Sequence, residues 1–198
     1  MGFKPYELDK NVLKPGDKYF DKKNMDLYLL RDGQSKTIGD TKVKIDFLSD
    51  ANVLNEEITF VVIVSRHNNQ WVVVRHRQRS TWEVPGGHRE DQEDSQKAAE
   101  RELYEETGAK EFKVFPVCVY SVKNDDKITY GKLFYADIKE FGDLPNFEIA
   151  EIKLVDDILK ETLTYPGIQP VLIQKVKEYL RTTRSVHCGH DLLKFKKI

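Results

Sequence analysis

Hydrophobic and polar positions change texture along this chain near residue 42. Residues 1–41 are polar, with scattered Lys, Asp and Gly, and only Met25–Leu30 (MDLYLL) forms a compact apolar run, enough for a short strand or one helical turn. Beyond it, VKIDFL (Val43–Leu48) alternates with period two, as a half-buried strand does. ITFVVIVS (Ile58–Ser65) is almost continuously β-branched or aromatic, which predicts a strand covered on both faces. Asn68-Asn69 marks a turn, so WVVVRHR (Trp71–Arg77) is expected to pair back as a hairpin. WEV (Trp82–Val84) predicts a short strand stopped by Pro85-Gly86-Gly87.

A helix follows. Asp94 or Ser95 can cap its start, AAERELYEET carries it, and Gly108 stands where a helix takes its left-handed C-terminal residue. FKVFPVCVYSV and KITYGKLFYADI then predict a long antiparallel pair separated by residues 123–126. IKLVD (Ile152–Asp156) reads as a last strand, and Val171, Leu172, Val176 and Leu180 have helical spacing within Ile168–Leu180, a pattern that stops near Arg181. The order strands, helix, strands, helix predicts an α/β fold: a mixed sheet with helices on its faces. Residues 1–41 are read as an N-terminal extension, too poor in apolar residues for its own core; 42–180 as the domain; and 181–198 as a basic C-terminal tail.

Composition narrows the function classes. Ten Phe, nine Tyr and two Trp in 198 residues supply a proper core. With 32 basic against 33 acidic residues the net charge is −1, so no global field exists to recruit nucleic acid or an anionic membrane. No run of 18 apolar residues and no apolar leader segment occurs, so a membrane is not expected as a partner. The two cysteines, Cys118 and Cys188, are too few for a disulfide framework, and a reducing cytoplasm is the expected location.

The candidate chemistry sits on the central helix. Glu102, Glu105 and Glu106 stand at i, i+3 and i+4, three carboxylates within reach of one another. Like charges at that spacing cost a few tenths of a kcal/mol per pair, roughly, and folding alone would interleave Lys there. A hard divalent cation is the natural remedy, because Mg²⁺ takes oxygen ligands and bridges carboxylates to phosphate oxygens. Gly86-Gly87 permits a sharp turn that aims a carbonyl at a metal or an N–H at phosphate. Arg101 can hold Glu93 in a charge-assisted hydrogen bond and so fix the loop to the helix.

An acidic helix face alone is ordinarily just solvated. The longer pattern departs from that: Gly87, five residues, Glu93, seven residues, then Arg101-Glu102-Leu103-Tyr104-Glu105-Glu106-Thr107-Gly108-Ala109. It resembles the complete signature of the Nudix hydrolase family, a match that ordinary residue frequencies produce less than about once in 10⁸ starting positions. The resemblance extends over about residues 42–180 and implies a Nudix-type α/β/α sandwich that hydrolyses a nucleoside diphosphate linked to a further group. It implies Mg²⁺, or Mn²⁺ in its place, held by Glu105 and Glu106, with Glu102 as ligand or water-orienting base, the Gly86 carbonyl as an additional ligand, and Gly87 and the Glu93–Arg101 pair as structural support. It also implies a small-molecule nucleotide partner and, since Nudix domains often pair, a homodimer.

Many family members place a further catalytic carboxylate beyond this box. Glu148 and Glu151 are the candidates here, with Glu148 preferred because it lies in the less regular loop before the last strand. Arg75, Arg77 and Arg79, with His76 among them, precede the box and suit a phosphate clamp, although arginines there are also ordinary surface residues. Tyr120, Tyr130 and Phe134 can stack a base, yet alternating strand aromatics are more often core. Cys118 reads as a small buried apolar residue, and His187-Cys188-Gly-His190 lacks the second cluster a zinc site needs. The favoured activity is pyrophosphohydrolysis of a nucleoside triphosphate, oxidised or not. ADP-ribose, dinucleotide polyphosphates and capped RNA ends stay open, as do a nucleotide-binding Nudix module without turnover and an isoprenoid-diphosphate isomerase.

Overall fold

The computed structural model describes residues 35–38, 41–48, 53–124 and 127–191; Met25–Leu30 lies outside them. Eight strands form one mixed sheet: β1 (Ser35–Ile38), β2 (Thr41–Leu48), β3 (Ile58–His67), β4 (Gln70–His76), β5 (Gly86–His88), β6 (Ala109–Asn124), β7 (Lys127–Phe141) and β8 (Ile149–Val155). Helix α1 (Ser95–Thr107) follows β5, and α2 (Gln169–Asp191) closes the described chain. The strand order is β1-β2-β6-β7-β3-β4-β8, with β5 added to β3. β3 and β7 run parallel, whereas β6–β7, β2–β6 and β4–β8 are antiparallel.

Strand alternation divides the core into two layers. Val61 and Ile63 of β3, Val72 of β4, and Phe134, Ala136 and Ile138 of β7 face α1 and meet its Ala98, Ala99 and Leu103. Val62, Val64, Trp71, Val73 and Leu133 face the other way, onto Leu172, Ile173 and Val176 of α2. Both faces of β3 are therefore covered between Val61 and Val64, which is why that stretch is an unbroken apolar run. Tyr120 and Phe134 belong to these two core layers, while Tyr130 is half-buried. Cys118 is half-buried on β6 and packs against the α2 side of the core.

The expected hairpin between Ile58–Ser65 and Trp71–Arg77 is only partly formed. Asn68 and Asn69 have φ of 48° and 69°, the left-handed pair that a tight two-residue turn requires. Yet β3 and β4 pair only at Arg66–Trp71 and His67–Gln70 and then diverge. The segment from Trp82 to His88 fills the gap. Glu83 exchanges both backbone hydrogen bonds with Val74 of β4 (2.8 and 2.9 Å), and Ile63 N of β3 donates to Pro85 O (2.8 Å). Gly86 and Gly87 then pair with Val62 and Val61.

Two further boundaries differ from the sequence reading. Pro85-Gly86-Gly87 does not stop a strand, since Gly86–His88 is itself one, and among the described glycines only Gly108 has positive φ. The glycines there serve close approach: a Cβ on Gly86 would stand 2.5 Å from Val61 O. Likewise α2 does not stop near Arg181 but continues to Asp191, carrying the backbone of His187-Cys188-Gly-His190. Side chains from residue 184 onward lie outside those described.

Helix α1 begins and ends on local signals. Asp94 caps it, its carboxylate accepting from Gln96 N at 2.8 Å, and Gly108 ends it at φ 66° with its N–H donating to Tyr104 O. A Cβ on Gly108 would also meet Asp143 O at 2.5 Å, in the loop that leads to Glu148. Gly108→Ala should therefore destabilise the fold by more than about 1 kcal/mol, read as a lower urea midpoint. An unchanged midpoint would show that neither the left-handed geometry nor the backbone contact constrains this position.

Candidate active site

The face that α1 turns to the sheet is not wholly apolar. Ala98, Ala99, Glu102, Leu103 and Glu106 are all buried, so two of the three glutamates lie on the inward face with the leucine. Glu102 and Glu106 are 8% and 6% exposed; the Glu105 side chain, on the flank, is 35% exposed. Burial is possible because the strand over them presents two glycines, Gly86 and Gly87, at the point of contact. A Cβ on Gly87 would come within 2.2–2.4 Å of the Glu102 carboxylate. The Gly86 N–H donates to Glu106 Oε2 at 3.0 Å.

Arg101 organises the outer end of the cluster. Its Nε and Nη2 grip the two oxygens of Glu93 at 2.9 Å each, and Nη1 donates to Glu102 Oε1 at 2.8 Å and Glu105 Oε2 at 3.4 Å. Nη2 also donates to His88 O at 3.1 Å, tying β5 to the helix. These hydrogen bonds hold the Glu93 carboxyl below its ordinary range and keep Arg101 protonated. Arg89 fastens the same loop from beneath, donating to Ile58 O, Glu93 O and Glu56 O.

At the inner end the electrostatics reverse. Burial pushes the Glu102 carboxyl up to about 7 against the pull of Arg101. Glu106 rises well above the usual carboxylate range, through burial first and then through the charges of Glu83 and Glu102. Glu83 was not among the sequence candidates. It is 6% exposed, is pushed by burial up to about 7, and receives Arg79 Nη1 at 2.9 Å on both oxygens. A small cavity of about 20 Å³ is lined by Glu83, Gly86, Gly87, Phe60, Tyr165 and Gln169. One signal in the sequence could have exposed Glu83: an acid between Trp82 and Val84, immediately before the glycine pair.

The remaining candidates are distributed unevenly. The Glu148 charge is felt at Glu83, Glu102 and Glu106, so this acid faces the cluster. Its carbonyl accepts from Arg77 N at 2.9 Å, which fastens the loop to the end of β4. Glu151 instead pairs with Arg75 at 2.6 Å across the β4–β8 register. Arg77 donates to Ile149 O and Asn146 Oδ1 from an exposed position. None of the three arginines is thus a bare surface cation.

Among the described residues no three acidic, imidazole or thiol side chains converge to enclose an ion in this arrangement. Glu102 is drawn to Arg101 and Glu106 to the Gly86 amide. The donor set nevertheless suits a hard divalent cation. Glu106 is a buried carboxylate with one N–H donor and the charges of Glu83, Glu102 and Glu148 around it, an arrangement that disfavours its ionised form until a cation is supplied.

The family comparison agrees with this geometry. Residues 56–156 match the family model described as the NUDIX domain. The putative 8-oxo-dGTP diphosphatase YtkD of Bacillus subtilis (strain 168) is 27% identical, with 60% of this chain and 80% of that protein covered. The fold is like that of the B. subtilis pyrophosphohydrolase BsRppH, solved as a mutant (TM-score 0.59, 23% identity, 69% of this chain and 92% of that one). It is also like that of a UDP-X diphosphatase (TM-score 0.51, 21% identity, 65% and 66%).

The raised carboxylates predict a pH dependence for the metal-free protein. A carboxyl whose folded-state pKa lies above its unfolded value contributes stability that is fully present below about pH 4.5 and is lost as pH rises through about 7. With chelator present, the denaturation midpoint should fall across that window, and Glu106→Gln should raise it at pH 8 while changing it little at pH 4.5. A flat midpoint in the wild type would mean these acids are not electrostatically strained. Sequence pattern, fold and site geometry converge on one assignment: the chain belongs to the Nudix hydrolase family.

Proposed function

We propose that this Nudix hydrolase cleaves a phosphoanhydride bond in a nucleoside diphosphate linked to a further group, and that its substrate is a nucleoside triphosphate, oxidised or not. The observation that carries the reading is the pair Glu102 and Glu106, buried beneath Gly86-Gly87 with their charges only partly compensated. Acids in that state serve poorly as structural elements and well as ligands. The name of the B. subtilis relative, a putative 8-oxo-dGTP diphosphatase, supports the triphosphate substrate.

Glu105, Glu106 and the Gly86 carbonyl are the groups that would hold Mg²⁺ or Mn²⁺, with Glu102 as a further ligand or as the group that orients water. The bound cation supplies charge neutralisation of the diphosphate and a lowered pKa for water. Glu102, with a carboxyl poised near 7, is suited to accept a proton from the attacking water at neutral pH. Glu148, facing the same cluster from the loop before β8, is the second candidate base. Arg101 keeps Glu93 and Glu102 in place, so the loop and helix act as one unit. Arg75, Arg77 and Arg79 are the candidate phosphate contacts, and of the three it is Arg79 that is paired to an acid of the cluster, Glu83. We further propose that the chain works in a reducing cytoplasm, as a homodimer.

The test is a Mg²⁺-dependent screen of nucleoside triphosphates, plain and oxidised, with ADP-ribose and dinucleotide polyphosphates alongside, repeated for Glu105→Gln. Turnover should drop in the variant by more than the roughly 10–100-fold typical of residues that only support metal ligands, with the fold intact by circular dichroism. Equal rates in both proteins would remove Glu105 from the ligand set. Failure of every diphosphate in Mg²⁺ and in Mn²⁺ would leave a binding module without turnover.

A further inference from the structure

The arginines of the 75–79 segment differ in what their guanidinium groups still have to offer. Arg75 commits all of its nitrogens: Nε and Nη2 to Glu151 at 3.1 and 2.6 Å, and Nη1 to the Arg79 carbonyl at 3.4 Å. Arg77 directs Nε to Ile149 O at 3.3 Å and Nη2 to Asn146 Oδ1 at 2.5 Å. Arg79 uses Nη1 alone, shared between both oxygens of Glu83, and no described residue accepts from its Nε or Nη2. Its side chain is 10% exposed, and its guanidinium carbon lies 5.6 Å from the centroid of the Tyr165 ring.

A guanidinium carries five N–H donors in a planar fork. The Nε–Nη2 edge has no acceptor among the described residues and is left to solvent until an anion takes its place. That edge has the spacing of two oxygens on one phosphate. The opposite side of the group is fixed by Glu83, whose backbone is tied to β4 through the Val74 bridge and which lines the cavity shared with Gly86 and Gly87. Glu106 hangs from the Gly86 amide, so the free edge of Arg79 and the carboxylate cluster border the same short segment.

We propose that Glu83 is a positioning residue: it holds Arg79 so that its Nε–Nη2 edge grips a phosphate of the substrate bound at Glu102 and Glu106. This rests on the pyrophosphohydrolase reading above and separates Arg79, the clamp, from Arg75 and Arg77, which brace the loop through their own partners. Glu83 acts on substrate through Arg79 and needs no contact with the cation.

A slowly cleaved α,β-methylene nucleoside triphosphate tests this by calorimetry in Mg²⁺, with Mn²⁺ binding to the nucleotide-free protein followed separately by electron paramagnetic resonance. Arg79→Gln and Glu83→Ala should each weaken the analogue about tenfold to a hundredfold, the scale of a lost charge-assisted bond. The double variant should be no weaker than the worse single one, since both remove the same contact. Glu83→Gln, which keeps one acceptor for Nη1 and the side-chain volume, should fall between wild type and Glu83→Ala, and decides against wild type if Glu83→Ala does not fold. Mn²⁺ affinity should stay within about twofold in Arg79→Gln, the variant that leaves the Glu83 carboxylate beside Glu106 in place. Additive losses, or in Arg79→Gln a parallel loss of Mn²⁺ affinity or unchanged analogue binding, would each overturn the proposal. If the wild type binds and hydrolyses while the variants match it, only the positioning role fails; if the wild type does neither, the hydrolase reading fails and takes this with it.

Discussion

Two carboxylates on one turn of α1 are kept out of water by a strand that has no side chains at the point of contact. A carboxylate enters a core only when something offsets its lost hydration, and Glu102 and Glu106 receive one arginine contact and one backbone N–H respectively. The rest of the architecture answers to that arrangement. Gly86 and Gly87 must be glycine because neighbouring atoms already occupy the places their Cβ atoms would take. β3 and β4 must part after the Asn68-Asn69 turn because the segment that carries this glycine strand has to lie between them.

Charge balance at the site is arranged by position. Arg101 holds Glu93 and braces the loop outside the helix, and Arg79 neutralises Glu83 on the sheet side. Between them Glu106 is left with the least compensation, in the place where a divalent ion would gain the most. The protein bears an electrostatic cost at this point, one that a bound cation would relieve.

Most of the scaffold is legible in the chain because it rests on local signals. The period-two and continuous apolar runs predict β2, β3, β4, β6 and β7, and the cap residues Asp94 and Gly108 bound α1. The parallel pairing of β3 with β7 is not legible, since contacts about seventy residues apart leave no trace in local alternation. β5 is not legible either, because glycines are read as turn formers, whereas these are extended and small for the sake of what passes over them. In the site, Glu102, Glu105, Glu106, Glu93 and Arg101 follow from spacing along one helix and its leading loop. Glu83 does not, because its burial depends on a bridge to Val74 that only the folded sheet provides.

The divergence of β3 and β4 also separates two duties. Everything from Gly86 to Ala109 is anchored on β3 and α1, whereas the turn from Arg75 to Trp82 is slung from β4 and fastened to the loop before β8. Lengthening or shortening that turn would move its arginines while leaving the acidic helix in its seat. A scaffold divided in this way can exchange one clientele for another over evolutionary time without dismantling the chemistry they share.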